Sequence, residues 1–416
     1  MKTYNFDCVV VGGGSAGMAA SLELVKNGFS SAVIEREEFL GGILLQCIHN
    51  GFGLHEFNEE LTGCEYAERF TNQVTNSNIQ VFLETTVSEI INDSIKKIHC
   101  YSKKHGVFVI NAKSIVLAMG CRERNRGNIG IPGTRPAGIF TAGLAQRLIN
   151  IDGFIPGKNV VIVGSGDIGL IMARRLTLSF CNVLAVVEIQ KYPSGLTRNI
   201  VQCLNDFNIP LYLSHTVSKI YGRDRVEKVD ISPIIDGKPD LDKSFNIKCD
   251  TILLSVGLIP ENELSKKMGV AINPQTNGAI VDSTMMTNIE GVFACGNVLH
   301  VHDLVDYVTE EARLTGSFVC KYLKNELPQN QIKVRTGANI RYIVPQKLNP
   351  QTDNKIYLRS LIVKNNAIIE AKLNGEVIKK INKNHIQPSE MISFNLTKNE
   401  LEKYTKEKNA VEISIY

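Results

Sequence analysis

The sequence lacks a long apolar run. None reaches the roughly 18 residues that a membrane-spanning helix needs, so no membrane insertion is expected. It also lacks any Cys-x-x-Cys pair. Its ten cysteines are scattered, and no two lie within three residues of each other. That spacing excludes a vicinal redox pair, a zinc knuckle and a ferredoxin-type cluster run. Cysteines placed this way read as small buried apolar residues. Charge of one sign is scarce too. Lys+Arg minus Asp+Glu is 46 − 42 = +4 over 416 residues, too small a bias to point to nucleic acid. No signal-peptide pattern precedes the first strand-like run, and the expected location is cytoplasmic. The remainder is an ordinary globular composition, 44% apolar and 21% charged, at a length suited to two or three domains.

What is present is a repeated glycine pattern. Phe6–Val11 reads as a strand and ends in Gly12-Gly13-Gly14-Ser15-Ala16-Gly17. A helical stretch follows, stopped by Asn27-Gly28, and then a second strand ends in Glu35. Each part has a physical reason. Gly12 allows a tight turn, Gly14 lets backbone N–H groups approach a pyrophosphate, and Gly17 lets helix and strand pack closely. Ser15 and Ala16 lie within this motif, and the N-terminus of the helical stretch that follows, Met18–Val25, faces phosphate charge. Glu35 is placed to accept hydrogen bonds from ribose hydroxyls. The arrangement recurs at Asn159–Val163, Gly164-Ser165-Gly166-Asp167-Ile168-Gly169 and a strand ending in Glu188. Two working dinucleotide sites are expected. Glu188 would repel a 2′-phosphate, which favours NAD(H) over NADP(H), although Lys191 nearby moderates this.

With these units in hand, the chain resembles the two-dinucleotide-fold flavoprotein oxidoreductases, the thioredoxin-reductase-like pyridine nucleotide-disulfide superfamily. Three further segments carry the resemblance. Ile115–Gly120 is similar to the apolar strand that closes in Ala-Thr-Gly, with Met119 in place of threonine. Asp250–Pro260 is similar to its counterpart in the nicotinamide domain, and Thr287–Asn297 to the late FAD motif. The resemblance implies FAD at the first site and nicotinamide at the second. It brings Gly42, Ala118, Gly120, Gly296 and Asn297 to the FAD and Gly257 to the nicotinamide side. Asn297 departs from the usual aspartate, but its carbonyl can still accept a hydrogen bond from the flavin ribitol.

A narrower resemblance rests on Gly41–Gly53, Gly120–Arg124 and Gly296–Tyr307. These strings resemble a subfamily that accompanies a flavin-dependent glycerol-3-phosphate dehydrogenase. The resemblance implies hydride passage between NADH and FAD, and electron exchange with a partner flavoprotein. The alternative is a stand-alone disulfide reductase or NADH oxidase. The family's usual cysteine pairs are absent, which disfavours an internal disulfide relay. Cys47 and His49 follow the double glycine, in a segment that approaches the flavin in relatives, and are candidates for a redox thiol and a proton donor. A helix starting near Val305 would place its positive end at the flavin pyrimidine carbonyl. His300-x-His302-Asp303 suggests a metal, but no third ligand cluster is evident in the sequence and none is expected.

The expected fold class is α/β. It has two Rossmann-like domains, with the NAD domain (130–272) inserted in a split FAD domain (1–123 and 277–328). A small C-terminal β-sandwich is expected over 335–416, from short strands separated by turns such as Asn374-Gly375. From residue 331 on there are 15 basic and 8 acidic residues, a surplus of +7 that reads as a solvated surface or a docking face for an acidic partner.

Overall fold

The computed structural model describes residues 2–328, 330–401 and 410–416. Contacts divide the chain into two units. One runs to Leu45, resumes over Asn50–Cys121 and takes in everything from Pro260 on; the other holds Gln46–His49 and Arg122–Ile259.

The first unit is built on a sheet whose parallel part runs Gln80–Phe82, Ser31–Ile34, Lys2–Val11, Gly106–Leu117 and Val292–Ala294. Buried on both faces, the parallel strands read as β-branched runs rather than alternating ones. Val9 and Val10 are fully buried on opposite faces, in two separate cores. The late strand Val292–Ala294 pairs with Ile115–Leu117, so the last motif returns beside the first. Residues 260–276 also belong here: Asn262 Nδ2 donates to the carbonyls of Val298 (2.8 Å) and Asn277 (2.9 Å).

The second unit repeats the plan. Its five parallel strands run Ile139–Thr141, Thr251–Leu254, Asn159–Val163, Asn182–Glu188 and Leu211–Leu213. An antiparallel sheet that includes His215–Gly222 and Val226–Ile235 is also part of this unit.

The C-terminal strands form the expected two sheets. The larger runs Lys347–Leu348, Ile332–Thr336, Ala410–Ile415, Lys364–Leu373, Glu376–Ile386. The smaller runs Ile340–Val344, Asn354–Ser360, Met391–Leu396. Residues 402–409 of the expected module lie outside the described residues. The smaller sheet is apolar on both faces. Successive side chains of a strand point to opposite sides. Ile356 and Leu358 therefore enter the sandwich core, while Tyr357 between them enters the core of the first parallel sheet. Ile343 and its neighbours Tyr342 and Val344 divide in the same way. This shared sheet is why the module belongs to the first unit.

Candidate functional site

Two glycine turns follow the strands Lys2–Val11 and Asn159–Val163, one in each parallel sheet. At the first, Gly12 has φ +110°, and a Cβ there would lie 2.3 Å from the Ala118 carbonyl oxygen. A Cβ on Gly17 would lie 1.8 Å from the Gly12 carbonyl oxygen. A Cβ on Gly14, by contrast, would project into open space. The Ser15–Lys26 helix begins there, with no side chain capping its first turn. Its free N–H groups face the position a pyrophosphate would take, so this turn fits the group. Glu35 is buried and locks the turn: Oε2 accepts from Gly13 N at 2.7 Å and Oε1 from Glu37 N at 2.9 Å. Gly42 lies 3.2 Å, measured from its ideal Cβ, from the Gly14 Cα, and Gly41 N donates to the Gly13 carbonyl. The late motif closes on the same place, since a Cβ on Gly296 would lie 2.8 Å from the Ala16 Cβ. Gly12, Gly14, Ala16, Gly42, Ala118 and Gly296 are thus brought together, and Gly120 follows Ala118 with φ +70°.

The second turn has the same construction. Gly164 has φ +92°, and its Cβ would lie 2.1 Å from the Ser255 carbonyl oxygen. Gly169 N donates to Ser255 Oγ at 3.0 Å, and Ile168 lies in the Asp167–Leu178 helix that starts after Gly166. The buried Glu188 accepts from Ser165 N (2.9 Å), Ser165 Oγ (2.6 Å), Ser194 Oγ (3.0 Å) and Gln190 N (2.9 Å). Asp167 is turned to Leu196 N and Asn199 Nδ2. Gly257, with φ +98°, accepts from Arg124 N through its carbonyl.

Cys47 and His49 group with the second unit. Cys47 Sγ lies 4.0 Å from Gln146 Oε1. Burial and the Arg198 charge hold the His49 imidazole below its ordinary value, against the opposing pull of Asp167. His49 is therefore expected to be neutral at pH 7. Its folded value lies below its unfolded one, so the unfolded chain binds the proton more readily, and stability falls as pH drops below about 6.5. His49→Gln should flatten that part of the pH–stability curve. An unchanged slope between pH 5 and 7 in urea unfolding would refute this assignment.

Asn297 is oriented by its neighbours: Oδ1 accepts from His302 N at 3.0 Å and Nδ2 donates to Cys121 Sγ at 3.7 Å. Oδ1 keeps a second lone pair. Val305 opens the long Val305–Leu323 helix. Two acids of this helix carry the site and are not singled out by sequence reasoning. Asp306 accepts from Gly53 N (3.2 Å), His55 N (3.2 Å) and Glu56 N (2.8 Å), tying the 53–56 segment to the helix. Glu311, fully buried, accepts from Gly296 N at 2.6 Å and meets His300 and His302. The signal available was an acid eleven residues past His300 on an otherwise buried helix face. Arg359 from the C-terminal module donates to the carbonyls of Val301 (3.1 Å) and Ser389 and pairs with Asp303.

Two acid-locked glycine turns on two parallel sheets define a two-dinucleotide oxidoreductase of the kind that uses FAD with NAD(P)H. The chain belongs to the pyridine nucleotide-disulphide oxidoreductase family, whose profile matches residues 6–312. It is 26% identical over 287 residues to the hydrogen cyanide synthase subunit HcnB of Pseudomonas protegens, covering 65% of this chain and 60% of that protein. It is 25% identical over 301 residues to the thioredoxin reductase of Treponema pallidum, covering 71% of this chain and 89% of that one. Among solved structures, the thioredoxin reductase of T. acidophilum superposes with a TM-score of 0.63 at 21% identity, over 76% of this chain and 98% of that one. Among the described residues no helix is long and apolar enough to cross a membrane.

Proposed function

We propose that this chain takes a hydride from NADH onto FAD and passes the electrons to a partner flavoprotein dehydrogenase, of the glycerol-3-phosphate dehydrogenase kind. The observation that carries the reading is the pair of acid-locked glycine turns, one in each unit. Bound FAD supplies a two-electron acceptor that can be reoxidised by a second redox partner. Gly12, Gly14, Ser15, Ala16 and Gly17 would hold its pyrophosphate at the helix N-terminus, with Glu35 on the ribose. Gly42, Ala118, Gly120, Gly296 and Asn297 would complete that side, with the Val305 helix end beside them. Gly164, Gly166, Ile168, Gly169, Glu188 and Gly257 would hold the nicotinamide dinucleotide. Glu188 stands at the end of its strand, where an acid disfavours the additional phosphate of NADPH. Delivery to a partner rather than through an internal disulfide accords with the lack of the family's usual cysteine pairs in the sequence. A relative whose own name calls it a subunit points the same way.

Anaerobic titration of the yellow protein tests the reading. About one equivalent of NADH should bleach the flavin band, and NADPH should need at least a tenfold excess, a difference of roughly 1.4 kcal/mol. Persistence of the oxidised band with both nucleotides overturns the hydride step. Rapid turnover on a small disulfide or on oxygen, with no partner present, overturns the partner assignment.

A further inference from the structure

The late FAD-side motif rests on a fully buried cluster of three side chains. His300 and His302 lie on the loop after Gly296–Val298, and Glu311 on the Val305–Leu323 helix. One donor atom of each converges, all within 4.8 Å of one another.

The hydrogen bonds around the cluster fix which atoms face inward. His302 Nδ1 lies 3.0 Å from the His300 carbonyl oxygen. A carbonyl only accepts, so Nδ1 carries the proton and a neutral ring presents its lone pair at Nε2. That Nε2 is buried, 3.3 Å from Glu311 Oε2, and forms no hydrogen bond among the described residues. Glu311 Oε1 is held by Gly296 N at 2.6 Å, which leaves Oε2 for the cluster. His300 Nε2 lies 2.8 Å from the same Oε2. A carboxylate only accepts, so with no ion present Nε2 carries the proton; an ion would displace it to Nδ1, which has no hydrogen-bond partner among the described residues.

The His302 Nε2 lone pair and the Glu311 carboxylate oxygen therefore face each other at 3.3 Å, and the one positive hydrogen on that oxygen comes from His300. Buried polar atoms without partners are rare, and each one needs a physical account. The Tyr357 hydroxyl is a third such atom here, on a ring 5.2 Å from His300 and 5.9 Å from His302. The His302 N···O separation of 3.3 Å matches the ligand edge a tetrahedral ion imposes, and the His300 one of 2.8 Å would lengthen by about 0.5 Å on binding. Bonds of about 2.0–2.1 Å give ligand–ligand edges of roughly 3.3 Å.

We propose that His300, His302 and Glu311 bind one divalent transition ion of the zinc class, as a structural site beneath the FAD-side motif. The donor set is two imidazoles and one carboxylate, which suits zinc rather than magnesium or calcium, whose sites are built from oxygen. The His302 bond to a backbone carbonyl is the usual outer partner that orients a histidine ligand. The ion would brace the turn from both ends. Glu311 holds Gly296 N, and the His302 backbone N–H holds Asn297 Oδ1. Two of these ligands, His300 and His302, stand out in the sequence, where the want of a third counts against a metal; the helix supplies it as Glu311.

Elemental analysis of the full-length protein, purified tag-free without chelator from zinc-supplemented cells, is the test. We expect close to one zinc per chain. His302→Gln and Glu311→Gln should lower it at least tenfold, while His385→Gln, on an exposed strand, should leave it unchanged. Cobalt(II) added to chelator-stripped wild-type protein should give visible d–d bands of a low-symmetry tetrahedral site, a readout that needs no variant to fold. Wild-type protein with less than a tenth of an equivalent of any transition metal, and no cobalt bands, overturns the proposal. Zinc retained in full by both ligand variants overturns it equally.

Discussion

Gly17→Ala is expected to yield a colourless protein. The added Cβ would sit 1.8 Å from the Gly12 carbonyl oxygen and 3.0 Å from its carbon, and neither backbone atom can rotate away. The strand end and the helix start must then separate. Overpacking of this kind costs about 3 kcal/mol. The same shift moves the Ser15–Lys26 helix N-terminus from the position a pyrophosphate needs. Gly164→Ala should behave differently. Its Cβ would strike the Ser255 carbonyl oxygen at 2.1 Å with φ at +92°, but in the second unit. That variant should remain yellow, while reduction by NADH slows about 100-fold, the equivalent of roughly 3 kcal/mol. Flavin absorbance after gel filtration and stopped-flow bleaching separate the two effects. A yellow Gly17→Ala protein with normal bleaching would remove the first turn from cofactor binding.

Arg359→Met should loosen the loop beneath the FAD-side motif. Arg359 is buried, and its guanidinium donates to Val301 O, Ser389 O and Tyr342 Oη while pairing with Asp303. Removal leaves those acceptors without their donor and Asp303 without its cation. Hydrogen bonds from a charged group are worth about 1.5–3 kcal/mol each, so a total loss near 3 kcal/mol is a conservative expectation. Asp303 is partly exposed, and water offsets part of its loss. Arg359→Lys should recover little, because one ammonium cannot span the same fork of acceptors. Urea unfolding measures the loss directly. The temperature at which flavin fluorescence appears should fall in parallel, because Asn297 and His302 share that loop. Unchanged unfolding in both variants would show that the C-terminal module is not held through Arg359.

The glycine turns were legible because every part of each is local. Gly12 to Glu35 and Gly164 to Glu188 are short stretches in which strand, turn, helix and acid follow in order. Even there the sequence underplays the acids: it offers Glu35 to ribose and sets Glu188 against a 2′-phosphate, and the structure adds their bonds to Gly13 N and Ser165 N, which shape the turns. The short C-terminal strands were also legible, from turn residues and β-branched runs. Their burial was not. Alternation along Asn354–Ser360 shows that Tyr357 and Arg359 share a face, but not that a second core covers it.

The sequence by itself determined the two dinucleotide folds, because periodicity and glycine spacing act over a few residues and allow few other outcomes. The tertiary structure alone decided which distant side chains meet. Glu311 reaches Gly296 N only because the helix folds back beneath the strand that precedes it. Arg359 reaches Val301 only because a two-faced sheet, far along the chain, completes the first unit. Such convergence depends on packing between elements, and packing is set by shapes that no local pattern encodes.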